Sequence, residues 1–225
     1  MFKMNTFIEK PANKQSVAQR KLVHGKGVND AEYIVNIKNS TKQESCPFYK
    51  RWVGMLERCY SEKLHKKNPT YKDCSVCSEW LTFSNFKEWM IKQDWEGQQL
   101  DKDLILPGNK IYSPSTCVFL PSAINSLMNN AGSIRGKYPI GVSKYKKNGL
   151  YTAKISLNGK LKGLGYYKTQ EEASFVYLTA KSDHIKDIVK NQPKMDERVA
   201  KALLNIATKL DENGTIKHET KPKSK

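Results

Sequence analysis

The stretch Tyr138–Tyr177, YPIGVSKYKKNGLYTAKISLNGKLKGLGYYKTQEEASFVY, carries the clearest structural pattern in the chain. Tyr151, Ala153, Ile155 and Leu157 alternate with Thr152, Lys154, Ser156 and Asn158, the period-two pattern of a strand with one buried face and one wet face. Asn148-Gly149 and Asn158-Gly159 bracket that strand, and Asn-Gly tolerates the positive φ angles of tight hairpin turns. The pattern predicts a three-strand meander whose wet face is polar and lysine-bearing. Thr169, Glu171 and Glu172 then form the start of a capped helix, in which Thr169 and Glu172 satisfy each other's backbone amides. Ala173, Val176, Tyr177 and Ala180 share one face of that helix and can cover the sheet.

Charge points to a polyanionic partner. The 225-residue chain holds 39 Lys+Arg against 22 Asp+Glu, a formal net charge of +17, far beyond what solubility requires. Nucleic acid is the natural counterpart. No continuous apolar run reaches spanning length, no signal peptide opens the chain, and no basic amphipathic helix has a wide apolar face, so a membrane is not expected as a partner. Five cysteines, an odd number, do not suggest a secreted disulfide framework. No small-molecule substrate is indicated, and a hydrophobic content of 38% suits two modest cores better than one large one.

Residues 1–45 read as a basic, partly disordered arm, because Lys, Asn and Gln alternate with scattered Val and Ile in no sustained period. Phe48, Trp52, Met55, Leu56 and Cys59 then fall at helical spacing and predict a helix from about Pro47 to Lys63. Trp80, Phe83, Phe86, Trp89 and Met90 mark a second amphipathic helix, with Thr82 or Ser84 near its cap. Both stripes read as core; a base-stacking platform would not need helical spacing. Further on, Asp101 to Leu106 is strand-like, Pro107-Gly108-Asn109 is a turn, Thr116 to Leu120 is a second strand, and Ser122 begins a helix. Near the C-terminus, Val199, Leu203 and Ile206 predict a helix over Met195–Leu210, followed by a charged tail. His24 and His218 sit in polar ends, and His184 reads as a packing or capping residue.

The elements IGVSKY, LYTAKISLNGK, LGYYKTQEEA and FVYLTAK resemble the AP2 DNA-binding domain over about fifty residues. The resemblance implies a three-stranded antiparallel sheet laid in the major groove of double-stranded DNA with a helix behind it. Its reading positions fall on Ile140, Ser143, Tyr145, Lys154 and Ser156, and Lys144 and Lys160 join the candidate DNA contacts. Several of these positions are arginine in plant members; without that bidentate fork a GC-rich site is not expected here.

The segment LDKDLILPGNKIYSPSTCVFLPSAIN, from Leu100 to Asn125, resembles the ββα-metal motif of HNH nucleases. That resemblance implies Asp101 and Asn125 as ligands of Mg²⁺ or Mn²⁺ and places Lys102 where the family carries its catalytic histidine, making Asp101, Lys102 and Asn125 the candidate catalytic set. A protonated lysine cannot deprotonate water, so Lys102 is expected to neutralise phosphate, with Asp103 or His65 as replacement bases. Thr116 occupies the family's middle Asn position. The wider order from Phe48 to Ile188 is similar to that of phage-encoded HNH-like homing endonucleases with AP2 domains, which implies site-specific cutting or nicking in the cytoplasm of an infected bacterium.

Cys59, Cys74, Cys77 and Cys117 form a further constellation around the Cys74-x-x-Cys77 pair. Structural Zn²⁺, packed reduced thiols and a redox role are three open readings of it. The expected architecture is therefore α+β: an arm over 1–45, an HNH-like ββα domain over 46–130, an AP2-like domain over 136–190, and a C-terminal helix and basic tail over 191–225. The expected function is a DNA endonuclease; the alternatives are a DNA-binding regulator without catalysis and a basic protein-interaction module.

Overall fold

The computed structural model describes residues 7–38, 43–128, 137–157 and 159–219. The chain is a mixed α+β protein of two units, Met1–Leu120 and Pro121–Lys225. Asn158 and the last six residues of the basic tail lie outside the described residues. No helix among the described residues is long and apolar enough to cross a membrane.

The first unit runs α1 (Lys14–Ala18), β1 (Asn36–Lys38), β2 (Gln43–Ser45), α2 (Pro47–Tyr60), α3 (Glu62–Lys67), β3 (Ser75–Val76), α4 (Phe83–Ile91), β4 (Gln99–Asp101), β5 (Ile111–Tyr112) and β6 (Val118–Leu120). Its core is the aromatic stripe read from the sequence: α2 buries Trp52, Met55, Leu56 and Cys59, and α4 buries Phe83, Phe86 and Met90. Trp80 precedes α4 in a 3-10 turn, and its carbonyl accepts the Trp52 indole N–H at 2.7 Å. Ring pairs such as Trp80–Phe86, edge to face at 5.1 Å, each add about 0.5–1.5 kcal/mol beyond area burial. The helix expected to Lys63 stops at Tyr60, because Ser61 turns extended and its hydroxyl caps α3 by accepting the Leu64 N–H.

The N-terminal segment is built into this unit, where the sequence suggested an arm. Ala31, Tyr33 and Val35 enter the core, and the Arg20 guanidinium donates to the carbonyls of Asn29, Ala31 and Tyr33. Lys87 of α4 pairs with Glu9 at 2.6 Å and lies over the Tyr33 ring. The cap of α4 also comes from this segment: the Asp30 carboxylate accepts the Ser84 N–H at 2.9 Å, while Thr82 makes no side-chain cap. The polar and basic composition of the segment concealed this docking, since its few apolar residues follow no local period.

The small sheets of the first unit are two-stranded: β1 with β2 and β4 with β6 antiparallel, β3 with β5 parallel. The expected strand over 101–106 ends at Asp101, and the expected Thr116–Leu120 strand begins at Val118.

The second unit holds α5 (Ser122–Met128), β7 (Val142–Lys144), β8 (Tyr151–Leu157), β9 (Lys160–Tyr167), α6 (Gln170–Asn191) and α7 (Glu197–Glu219). The three strands form an antiparallel meander in the order β7-β8-β9. Helix α6 opens on the expected capping box: Thr169 Oγ1 accepts from Glu172 N at 3.2 Å, and Glu172 Oε2 accepts from Thr169 N at 3.3 Å. Val142, Ala153 and Ile155 from the sheet pack with Ala173, Tyr177 and Leu178 from α6. Helix α7 lies along α6, burying Val199, Leu203 and Ala207, and the Ser182 hydroxyl donates to the Ala207 carbonyl at 3.2 Å.

Two glycines test this packing. A Cβ at Gly27 would overlap the buried Leu56 and Trp52, and one at Gly141, where φ is +73°, would overlap the Tyr177 ring. Gly27→Ala and Gly141→Ala should each destabilise the protein by about 1–3 kcal/mol in urea unfolding, the range for overpacked sites. An unaffected Gly27→Ala variant would show that the N-terminal segment is not docked.

Candidate nucleic-acid interface

Strand register assigns each residue of the C-terminal sheet to a face. Val142 pairs with Ala153 and Ser143 with Thr152, so Val142, Ala153, Ile155 and their partners face α6, while Ser143, Thr152, Lys154 and Ser156 face away. Tyr145 extends the same outer row, its N–H donating to the Leu150 carbonyl at 2.7 Å. Four of the seven expected DNA contacts, Ser143, Tyr145, Lys154 and Ser156, thus share one exposed face.

Lys144 and Lys160 do not. Lys144 pairs with Tyr151 and Lys160 with Leu157, which places both on the helix side of the sheet, where they stay exposed near strand ends. Alternation forbids Ser143, Lys144 and Tyr145 from sharing a face, so a consecutive run of contacts cannot come from one strand surface. Ile140 is half-buried and packs against the helix-side cluster.

A bulge changes β9 further. Ala153 pairs with Gly165 but Lys154 pairs with Gly163, leaving Leu164 without a partner residue in the ladder. Leu164 packs against the core cluster, and its carbonyl accepts the Tyr167 hydroxyl at 2.7 Å. Beyond the bulge the parity of β9 reverses: Lys162 turns to the helix side with Ile155, and Leu161 comes to the open face beside Ser156. The face read from sequence as lysine-studded therefore carries one strand lysine, Lys154. Around it stand the hydroxyls of Ser143 and Ser156, exposed Leu161, and the Tyr145–Tyr166 pair, edge to face at 5.3 Å. Lys146 and Lys147 are exposed in the turn between β7 and β8 and supply positive charge at the rim. Sequence reasoning missed Leu161 and Tyr166, for a bulge leaves no local signal except the Gly163-x-Gly165 pair.

The Asp101 segment is a closed turn. Asp101 Oδ1 accepts the N–H groups of Asp103 at 3.0 Å and Leu104 at 2.8 Å, which ends β4. Burial raises the Asp101 pKa above the usual carboxylate value, with the two backbone hydrogen bonds opposing that shift. Lys102, only 5% exposed, directs its ammonium to Asp103 Oδ1 at 2.6 Å and the Asn109 carbonyl at 2.9 Å. Asn109 answers from across the turn, its Nδ2 donating to the carbonyls of Lys102 at 2.9 Å and Ile111 at 2.7 Å. Asn109 is the residue of this segment that sequence reading left in a plain turn.

This arrangement engages the groups that metal-assisted hydrolysis would need. The Asp101 oxygen is occupied by backbone donors, Lys102 is turned inward, and Asp103 pairs with Lys102. His65 hydrogen-bonds the Arg58 carbonyl at 2.9 Å, and Thr116 Oγ1 donates to the Ile111 carbonyl at 3.1 Å. Asn125 lies in α5.

Cys59, Cys74, Cys77 and Cys117 do enter one hydrophobic cluster, and Cys46 joins it beside the Tyr33 hydroxyl. Among the described residues no group of three or more His, Cys, Asp or Glu is arranged to hold a metal ion. Burial pushes the thiols of Cys59 and Cys117 up to about 12 and raises Cys77 as well, which favours protonated, packed thiols. Comparisons with protein-family models, curated proteins and solved structures return no match for this chain.

Two outcomes follow from this geometry. Lys102→Ala and Asn109→Ala should each lower unfolding free energy by about 1–3 kcal/mol, because each leaves buried polar partners unsatisfied; a phosphate-contacting lysine at 102 would leave stability unchanged. Since their pKa values lie far above 8, Cys59 and Cys117 should resist iodoacetamide at pH 8 in the folded protein and react once urea unfolds it, as read by mass spectrometry. Rapid labelling of both in the native state would contradict their packing.

Proposed function

We propose that this chain is a double-stranded DNA-binding protein whose C-terminal sheet carries the contact surface. The observation that carries this reading is the convergence of Ser143, Tyr145, Lys154 and Ser156 on one exposed sheet face, backed by α6 and rimmed by Lys146 and Lys147. A three-stranded face of this kind suits the width of a major groove, and the net charge of +17 supplies long-range attraction to phosphate. The arrangement is consistent with the AP2-like reading of Tyr138–Tyr177.

For the first unit the HNH-like reading remains a proposal about scaffold. The inward hydrogen bonds of Asp101 and Lys102 favour a role in holding the turn over a role in hydrolysis, so binding without cleavage is the form of the function advanced here.

Fluorescence anisotropy on a labelled random-sequence duplex tests it. Affinity should fall steeply with salt, and the slope of log affinity against log salt should shrink by about one for each phosphate-contacting lysine removed in Lys146→Ala, Lys147→Ala or Lys154→Ala. Asp101→Ala should leave binding unchanged, and the bound duplex should stay intact in Mg²⁺ or Mn²⁺. Salt-independent or absent binding would overturn the DNA reading. Metal-dependent nicking lost in Asp101→Ala would instead restore the nuclease.

A further inference from the structure

The open sheet face differs in chemistry from the charge of the whole chain. Its exposed outward strand residues are Ser143, Lys154 and Ser156 of β7 and β8, and Leu161, Gly163 and Tyr166 of β9; Thr152 shares their side of the sheet but is buried. None is arginine, asparagine or glutamine, the side chains that grip guanine or adenine with two hydrogen bonds. Apolar surface takes their place: Leu161 is 71% exposed and Tyr166 57%, although both belong to an ordered strand. Leu161 and Tyr166 stand two rows apart on this face, with Gly163 in the row between them, and offer apolar contact area to a partner.

Leu161 and Ser156 are directly paired across β8 and β9. Paired residues on one face hold their Cβ atoms about 4.5–5.5 Å apart, so the face offers a hydroxyl and an isobutyl group side by side. In the major groove thymine presents the complementary pair, the O4 acceptor beside the 5-methyl group. Gly163 lies in the row next to Leu161, paired with Lys154, and open space stands where its Cβ would be. That gap lets a base edge approach the sheet closely. The occupant is fixed by charge: Lys154 stands in the row next to Leu161, and Lys146 and Lys147 lie exposed in the turn beyond Tyr145, which suits a polyanion and not an apolar protein surface.

From this we infer that the face selects thymine-bearing duplex, with Leu161 seated on the thymine 5-methyl group, Ser156 donating to O4, and the Tyr145–Tyr166 pair adding apolar contact beside them. The inference rests on the DNA-binding reading above.

Its test removes the methyl groups alone. A preferred site is selected from a random duplex pool, and affinity is compared between that site and the same site with uracil replacing thymine. The two duplexes have equal charge and equal hydrogen-bonding edges. Each contacted methyl should contribute about fourfold in affinity, so uracil replacement should weaken binding by about fourfold for one contact and about fifteenfold for two. Leu161→Ala, at an exposed position, should bring the thymine-to-uracil ratio to near one while leaving the thermal midpoint unchanged. A wild-type protein that binds both duplexes equally would overturn the inference and leave the DNA reading standing. A wild-type ratio that Leu161→Ala does not change would overturn the role of Leu161. A ratio that appears only when cytosines are replaced by 5-methylcytosine would overturn thymine as the target. Absence of binding to any duplex would overturn both readings.

Discussion

The hydrogen bond from the Tyr167 hydroxyl to the Leu164 carbonyl, 2.7 Å long, pins the one residue of β9 that has no partner in the ladder. What β9 presents on the open face of the C-terminal sheet depends on that bulge. With an unbroken ladder, Lys162 would stand on the open face and Leu161 against the helix; with it, a lysine is exchanged for a leucine. Gly165 is part of the same device, for its φ of +131° is closed to ordinary side chains and a Cβ there would press on the Tyr167 hydroxyl at 2.8 Å. The bulge, the latch and the glycine together convert a basic strand into a mixed apolar and hydroxyl surface.

A comparable economy governs the turn after β4. Asp101, Lys102 and Asn109 are polar residues of the kind that catalytic sites use, yet here they satisfy one another and the backbone. Once its ammonium is buried, Lys102 is held by its hydrogen bonds, and either partner lost would leave a charge or carbonyl without compensation. The same principle explains Arg20, which reaches carbonyls along the N-terminal segment and so turns a polar tract into part of a core-bearing unit. In this protein several conspicuous charged residues hold structure, and in the proposed binding mode the exposed Lys146, Lys147 and Lys154 are the ones that meet a partner.

That division gives the proposed binding mode a simple logic. Overall charge of +17 acts at a distance and without regard to sequence, whereas the small open face, with one strand lysine, acts on contact. Attraction and selection thus fall to different residues.

The sequence by itself determined the elements with strong periods. The aromatic stripes of α2 and α4, the alternation of β8, the Asn148-Gly149 turn and the Thr169–Glu172 capping box were all legible, because each is a local pattern whose physics acts within one or two turns of chain. Four of the seven residues named as DNA contacts were legible for the same reason. Tertiary structure alone decided the rest: the docking of Ala31, Tyr33 and Val35, the cap of α4 by Asp30 from 54 residues away, the inward turn of Lys102, and the exchange of Lys162 for Leu161. Each of these depends on a partner distant in sequence, or on a one-residue shift of register, and neither leaves a period for the sequence to display.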